Sequence, residues 1–364
     1  MSMNTIPRSS WLFPALAAVF VAVSTGFGLT FTPSVSGMAF AVVLLIILFG
    51  TVFAAVHHAE VIAQKIGEPY GTLLLTLSVI IIEVAVIATI MLGDKAVPTL
   101  ARDTVFAVVM IVCNGLVGLC ILAGGLRFQE QIFQVSGAKV YLIVLIVLAT
   151  ISLILPNYTL TTPGPLYSAL QLAFVSVITL VLYGLFLYTQ TMLHRDYFIS
   201  SDDDGDDESV PASGRVLTIS AILLVVSLVA VVLLAKSFSV VVDAGAAAIG
   251  APPAFSGIVV ALLVLLPESV AAISAARHNQ LQKSINLSLG SALATISLTV
   301  PAVALVAWLL DKPLVLGLAP REMVLLVMTF AISMLTFATG VTNILFGMVH
   351  LLVFAVFLLV VFVP

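Results

Sequence analysis

Charged residues are scarce in this sequence, and their scarcity excludes most soluble folds. Only 8% of the 364 residues are Asp, Glu, Lys or Arg, and 62% are hydrophobic, whereas roughly 25% of a soluble domain is charged. A soluble chain of this length could not hide so much apolar surface. The sequence also lacks a basic tail and a basic–aromatic patch, which argues against nucleic acid as a partner.

Cysteine is rare, and common catalytic motifs are missing. The two cysteines, Cys113 and Cys120, lie in one apolar run, where core or lipid-facing residues are expected rather than a disulfide or a metal pair. No H-E-x-x-H zinc motif and no phosphate-binding Walker loop occurs. A membrane-embedded enzyme is thus a weak alternative. We expect no enzymatic activity and no resident cofactor, with an ion gradient rather than ATP as the source of energy.

Long apolar runs recur from one end of the chain to the other. Each is long enough to cross ~30 Å of hydrocarbon as a helix, and the runs are continuous rather than alternating. We read the first as a span, because no small-residue cleavage pattern marks it as a signal peptide. The sequence predicts an all-α polytopic membrane protein with eleven transmembrane helices, near 9–31, 36–56, 69–93, 104–125, 138–155, 166–192, 214–236, 253–277, 285–310, 319–338 and 341–363.

One polar loop divides the chain into two halves. It carries the acidic run "SDDDGDDES" at 201–209 and is predicted to be a solvated linker. Five spans precede it and five follow it once the first span is set aside. Because five is odd, the second group enters the bilayer from the opposite face, as in the inverted repeats of transporters. The predicted parts are an N-terminal helix (1–35), a first repeat (36–192), an acidic cytoplasmic linker (193–213) and a second repeat (214–364).

The basic residues of the loops predict the orientation. If the N-terminus is cytoplasmic, eight of the 13 Lys and Arg residues fall on the cytoplasmic side and five on the other. Positive charge is enriched in cytoplasmic loops. We therefore expect a multi-pass protein of the cell's inner (plasma) membrane, with its N-terminus inside and its C-terminus outside.

Two acids lie deep in the predicted spans, at matching places in the two halves. Glu83 in "LSVIIIEVAVIATI" and Glu268 in "LLVLLPESVAAISAA" each occupy the second span of their group of five. A helical rise of ~1.5 Å per residue puts both near the membrane middle. Ionisable groups at that depth are functional by default. A pair of inward carboxylates with no Lys or Arg at comparable depth in the sequence indicates a site for a metal cation or for protons.

The surroundings of Glu268 offer oxygen ligands. Pro267 has no N–H to donate, which frees a backbone carbonyl in the preceding turn, and hard cations bind several oxygens. Small polar residues follow in the neighbouring spans, and Gly290 is expected to permit close helix approach. Any single one of them is more often helix–helix contact than ligand; Asn114 is the strongest candidate, because an amide is costlier to bury than a hydroxyl.

Three further acids are candidates for an entry vestibule. Glu60 and Glu68 are eight residues apart and can share a helix face, although an interfacial amphipathic segment explains them as well. Glu322 begins the tenth span and is compatible with a headgroup position. His350, alone in the last span, is expected to be hydrogen-bonded structure rather than a proton relay.

Two segments carry a resemblance to a known family. "AEVIAQKIGEPYGTLLLTLSVIIIEVAVIATIM" and "FSGIVVALLVLLPESVAAISAARHNQLQKSINLSLGSALATISLTVP" resemble the two α-repeats of the calcium/cation antiporter superfamily. The chain is most similar to its Ca²⁺/H⁺ exchanger branch, and within that to the bacterial sodium/calcium–proton antiporter type. The resemblance implies ten helices in an inverted repeat plus one N-terminal helix, with cations bound between the repeats.

The resemblance also implies a set of site residues. The family's two repeat glutamates match Glu83 and Glu268, and its asparagine in the first repeat matches Asn114. In the second repeat its Gly-Ser motif matches Gly290 and Ser291, and the polar position after it matches Thr295.

The sequence departs from the family pattern just before each glutamate. Many exchangers have Gly-Asn there, whereas this chain has "SVIIIE" and "LLPE". The missing amides leave Na⁺ and K⁺ open beside Ca²⁺ as the cation exchanged for protons. The resulting hypothesis is antiport by alternating access at a midplane site that always holds either metal or protons. The alternative is a cation channel or a proton-coupled transporter of another solute.

Overall fold

Thirteen α-helices lie along the described part of the chain, and because two pairs of them are joined by π-helical segments they form eleven helical segments. The computed structural model describes residues 7–67, 69–92, 97–199 and 214–363. The α-helices are α1 (Arg8–Gly26), α2 (Val35–Ile66), α3 (Tyr70–Met91), α4 (Leu100–Met110), α5 (Val117–Phe128), α6 (Val135–Ala149), α7 (Ala169–Tyr188), α8 (Gly214–Ala248), α9 (Ala254–Arg277), α10 (Leu281–Ala294), α11 (Val300–Leu309), α12 (Pro320–Thr336) and α13 (Ile344–Phe362).

Short π-helical segments join several of these helices into longer ones. Ile111–Leu116 links α4 to α5, and Thr295–Thr299 links α10 to α11. Among the described residues, ten segments are long and apolar enough to cross a membrane, and the eleventh, α12, has 17 residues. The prediction of an all-α, multi-pass membrane protein is confirmed.

Two helices run well past the ends predicted from hydropathy. The apolar pattern predicts an end of α2 near residue 56, but the helix continues to Ile66, where Gly67 turns the chain with a φ of 74°. Similarly, the end of α8 predicted near 236 lies at Ala248. Five of the ten extra residues of α2 are Ala, Glu, Gln or Lys, which favour helix in water as well as in lipid. Polarity therefore marks the edge of the apolar run and not the end of the helix.

The helices gather into two compact units that do not coincide with the two halves of the sequence. One unit comprises Met1–Val97 and Gly205–Ala251, and the other comprises Pro98–Asp204 and Pro252–Pro364. The first therefore contains α1, α2, α3 and α8, and the second contains the remaining helices. The division into two five-helix repeats remains a prediction. Of the predicted linker, residues 200–213 with the acidic run lie outside the described residues.

In the first unit, α2 packs against α1, α3 and α8. The ring of Phe13 fills the space beside Gly50, where a Cβ would lie 2.2 Å from it. His58 Nε2 donates to the carbonyl of Ser10 at 3.0 Å. Near the end of α2, Gly71 brings the start of α3 against the backbone of Ala63.

In the second unit, α9 packs against α4, α5 and α10. At the crossing of α9 and α4, a Cβ on Gly257 would lie 2.8 Å from the carbonyl carbon of Asp103, so only glycine fits without movement. A two-stranded antiparallel ribbon, β1 (Glu130–Ile132) with β2 (Val341–Asn343), was not predicted. Its Gln131 is buried and donates to the Ala276 carbonyl at 3.0 Å, which ties the ribbon to the end of α9.

Candidate cation site

Glu83 is fully buried on α3 of the first unit. Glu83 has 0% exposure, and its helix α3 packs against α2 and α8. The nearby hydroxyl of Ser78 donates to the Leu74 carbonyl of its own helix at 2.8 Å. That hydroxyl proton is therefore used within α3.

Glu268 lies on α9 of the second unit, directly after a proline within the helix. It is half-buried, and Pro267 is buried. Because proline has no N–H, the carbonyl of Leu263 receives no hydrogen bond from the residue four positions later. One turn beyond Glu268, the small residues Ala272 and Ala276 pack on Leu116 and Cys120. This packing holds the C-terminal half of α9 against the π-helical segment and α5.

Two of the π-helical segments contain the predicted ligands Asn114 and Thr295. Asn114 lies within Ile111–Leu116, which begins 28 residues after Glu83, and Thr295 opens Thr295–Thr299, which begins 27 residues after Glu268. A π-helical turn bonds i to i+5 and is frequent at functional sites. No sequence pattern predicted these segments. Their matching places after the two glutamates provide a second correspondence between the halves, beside the glutamates themselves.

Four predicted ligands of the second unit lie on elements that touch one another. α9, with Glu268, contacts both α10 and the π-helical segment of Asn114, and α10 contacts that segment too. Thr295 is 2% exposed, and Ser291, one turn earlier, is half-buried. A Cβ on Gly290 would meet the Tyr141 hydroxyl at an ordinary 3.6 Å. The expectation of a close helix approach at Gly290 is therefore wrong, and Gly257 supplies the close approach on α9.

Asn114 is fully buried, and both ends of its carboxamide are engaged. Its Nδ2 donates to Thr329 Oγ1 at 2.9 Å, and its Oδ1 lies 3.4 Å from Nδ1 of His350. His350 in turn lies 3.0 Å from the hydroxyl of Thr336. His350 is thus hydrogen-bonded as expected. Its partner Asn114 was missed, because no local pattern joins residues so distant in sequence.

Of the three predicted vestibule acids, two lie among the described residues. Glu60 is exposed on α2 of the first unit, and Glu68 lies outside the described residues. Glu322, in the second unit, accepts from the backbone N–H of Ala319 at 2.9 Å and so caps α12. It also lines a cavity of about 220 Å³, together with Asp103. The capping contact explains Glu322 without a role in ion entry.

Comparisons with known proteins match nearly the whole chain. The model of the family described as sodium/calcium exchanger protein matches residues 36–192 and 219–363. The "putative ionic transporter y4hA" of Sinorhizobium fredii is 44% identical, over 90% of this chain and 89% of that protein. The "sodium-potassium/proton antiporter ChaA" of Escherichia coli is 39% identical, over 89% of this chain and 88% of ChaA.

The fold also matches solved structures. The structure of native YfkE superposes with a TM-score of 0.74 at 16% sequence identity, covering 98% of this chain and all of that chain (100%). At this identity the likeness shows a shared architecture of helices.

Proposed function

The chain belongs to the sodium/calcium exchanger family, and we propose that it is a secondary antiporter that exchanges a cation for protons across the membrane. The observation that carries the proposal is the fully buried carboxylate of Glu83 on α3. Its counterpart, Glu268, follows a proline inside α9, at the matching position before a π-helical segment. ChaA, 39% identical, is named a sodium-potassium/proton antiporter, which supports proton-coupled cation exchange.

The proposed ligands are all oxygen donors. Ca²⁺, Na⁺ and K⁺ are the candidate cations, because each binds carboxylate, carbonyl and hydroxyl oxygens. The cation and proton site would consist of Glu83, Glu268, Asn114, Ser291 and Thr295. The carbonyl freed by Pro267 is a further candidate ligand. Glu60, Glu68 and Glu322 stay a proposed vestibule of lower rank, since Glu322 already caps a helix.

Coupling follows from the cost of burying carboxylates. Two ionised carboxylates moved through an occluded state without a counter-charge would cost several kcal/mol each. The site therefore changes sides when it holds either a cation or protons. Protons entering from outside would displace the cation outward, as one helix group rocks against the other. No nucleotide and no resident cofactor takes part in this cycle.

The proposed cellular setting follows the charges of the loops. We place the chain in the inner (plasma) membrane, with the N-terminus in the cytoplasm and the C-terminus outside, because eight basic residues then face the cytoplasm and five the exterior. The proposed parts are the N-terminal helix 1–35, the repeats 36–192 and 214–364, and the cytoplasmic linker 193–213. The chain acts as a transporter, and an enzymatic activity is not part of the proposal.

Proteoliposomes loaded with a pH-sensitive dye test this function. Ca²⁺, Na⁺ and K⁺ are added in turn across an imposed proton gradient, and dye fluorescence reports proton flux. Wild-type protein should show cation-dependent proton flux, and Glu83→Gln and Glu268→Gln should each abolish it. Glu130→Gln is the matched control, because Glu130 is exposed on β1. Cation flux without proton counter-flux would instead show a channel, and full activity of either Gln variant would refute the assignment.

A further inference from the structure

A chain of hydrogen bonds runs through buried side chains of the second unit. Thr336 Oγ1 lies 3.0 Å from His350 Nε2, and His350 Nδ1 lies 3.4 Å from Asn114 Oδ1. Asn114 Nδ2 donates to Thr329 Oγ1 at 2.9 Å, and Thr329 donates to the Leu325 carbonyl at 2.8 Å. Asn114, His350 and Thr329 have 0% exposure, and Thr336 has 4%. Water therefore does not replace these bonds.

The donors and acceptors of this chain follow from the orientation of the Asn114 carboxamide. In the structure Thr329 donates to the Leu325 carbonyl and accepts from the Asn114 amide nitrogen, and the amide oxygen lies toward His350. An amide oxygen only accepts. His350 must therefore carry its proton on Nδ1, and the bare Nε2 of the neutral ring accepts from Thr336.

Backbone contacts fix the distance between the two side chains. A Cβ on Gly118 would lie 3.0 Å from the Gly347 carbonyl and 3.1 Å from the His350 Cβ. α5 and α13 thus cross at glycines, one turn from Asn114 on one helix and one turn from His350 on the other. The imidazole lies between the Asn114 carboxamide and the Thr336 hydroxyl.

We propose that His350 is a positioning residue for cation binding, because its Nδ1–H fixes the Asn114 carboxamide with the oxygen, rather than the NH₂ group, presented as a ligand. This inference rests on the cation site proposed above. An amide oxygen has two lone pairs, so one can accept from His350 while the other faces a cation. If the amide turned over, its NH₂ would face the cation and would also oppose the N–H of His350.

Three substitutions of His350 separate positioning from packing. In Asn the amide nitrogen takes the place of the imidazole Nδ1, so His350→Asn keeps the donor to Asn114. In Gln the amide nitrogen reaches only the place of Nε2, so His350→Gln removes that donor, as does His350→Leu. We expect the cation concentration for half-maximal flux to rise about tenfold in the Gln and Leu variants, equivalent to about 1.4 kcal/mol. The Asn variant should stay within about twofold, and maximal flux should change little in all three.

Ser333→Ala is the matched control. Ser333 is buried on α12 between Thr329 and Thr336, and its hydroxyl oxygen has no hydrogen-bond partner among the residues that the structure describes. Its removal should leave the half-maximal cation concentration unchanged. Equal losses in the Asn, Gln and Leu variants would contradict positioning, since a packing role does not distinguish the two nitrogens.

Nitrogen NMR of ¹⁵N-histidine-labelled protein provides a readout that does not depend on transport. The chain has five histidines, and the His350 signals are those missing from His350→Leu. They should show a protonated Nδ1 and a bare Nε2. Addition of CaCl₂, NaCl or KCl, against choline chloride, should shift them in wild type but not in Asn114→Ala.

The outcomes distinguish this inference from the proposed function. A protonated Nε2 with a bare Nδ1, or His350 signals that no cation moves in wild type, would overturn the role of His350. If both NMR results are as expected while wild-type liposomes show no cation-driven proton flux, the proposed antiport fails and the positioning of Asn114 by His350 stands.

Discussion

Gly118 of α5 and Gly347 of α13 cross with their backbones in contact, since a Cβ on Gly347 would lie 2.9 Å from the carbonyl oxygen of Gly118. No larger residue fits there without moving the helices. The crossing sets the distance between Asn114 and His350, so it links helix packing to the proposed ion site.

Gly347→Ala should destabilise the protein by about 1–3 kcal/mol, the usual range for overpacking a well-filled contact. The measurement is thermal unfolding of the purified protein in detergent. Gly184→Ala on α7 is the control, because a Cβ at that position would have nothing within 4 Å and alanine favours a helix by up to ~1 kcal/mol over glycine. Equal stability of Gly347→Ala and wild type would show that α5 and α13 can separate freely.

Pro267→Ala should stabilise the fold and weaken cation binding. Alanine restores the N–H that the Leu263 carbonyl lacks, and a proline inside a helix costs up to about 3 kcal/mol. The restored hydrogen bond would occupy the carbonyl that we propose as a ligand. The test compares the unfolding temperature with the half-maximal cation concentration. A more stable variant with an unchanged half-maximal cation concentration would show that this carbonyl is not a ligand.

Arg102 and Asp103 form an ion pair at the start of α4, and we expect a large coupling free energy of unfolding between them. Arg102 Nη2 lies 2.7 Å from Asp103 Oδ1, with the side chains 14% and 6% exposed, and Arg102 also donates to the Gly317 carbonyl at 3.1 Å. Arg102→Met alone leaves a buried carboxylate and should cost about 3 kcal/mol of folding stability.

The double variant Arg102→Met with Asp103→Leu should recover much of that loss, because an apolar pair often replaces a buried ion pair at little cost. A double-mutant cycle of unfolding free energies gives the coupling. If the loss of unfolding free energy in the double variant equals the sum of the two single losses, the coupling free energy of the ion pair is zero.

Gln131→Leu should loosen the end of α9. The Gln131 amide donates to the Ala276 carbonyl at 3.0 Å and to Asn279 Oδ1 at 3.1 Å. The substitution removes both hydrogen bonds, at about 0.5–1.5 kcal/mol each, while the Ala276 carbonyl keeps the N–H of Asn279 as a donor. Hydrogen exchange should accelerate in the turn between α9 and α10, while α2 keeps its wild-type protection. Unchanged exchange in that turn would mean that the ribbon does not hold α9.

The predicted and observed helices differ at their ends, where a helix continues beyond the apolar run that predicted it. Hydropathy located every helical segment, because each needs an apolar stretch to cross lipid. It missed the last turns of α2, from His57 to Ile66, because a helix can continue outside the apolar region until a residue such as Gly67 ends it. The three-residue strands of the ribbon carry no signal of their own, since their pairing joins Glu130 to Asn343.

Some features of the candidate site could be predicted from the sequence, and others could not. The apolar flanks of Glu83 marked it as a candidate from the sequence, and the structure buries it completely. The π-helical segments around Asn114 and Thr295 were not readable, because they depend on how neighbouring helices pack. Likewise, His350 was readable as a lone polar residue in an apolar span, but its partner was not.

By itself, the sequence determined the membrane class and the number of helical segments, and it singled out the two glutamates as candidates. Lipid offers no hydrogen bonds, so every crossing segment must be an apolar helix and every ionisable group within it stands out. The tertiary structure alone decided the grouping of helices into two units, the glycine crossings and the pairing of Asn114 with His350. Those contacts join residues up to 236 positions apart, and a contact over that span depends on packing that no local pattern encodes.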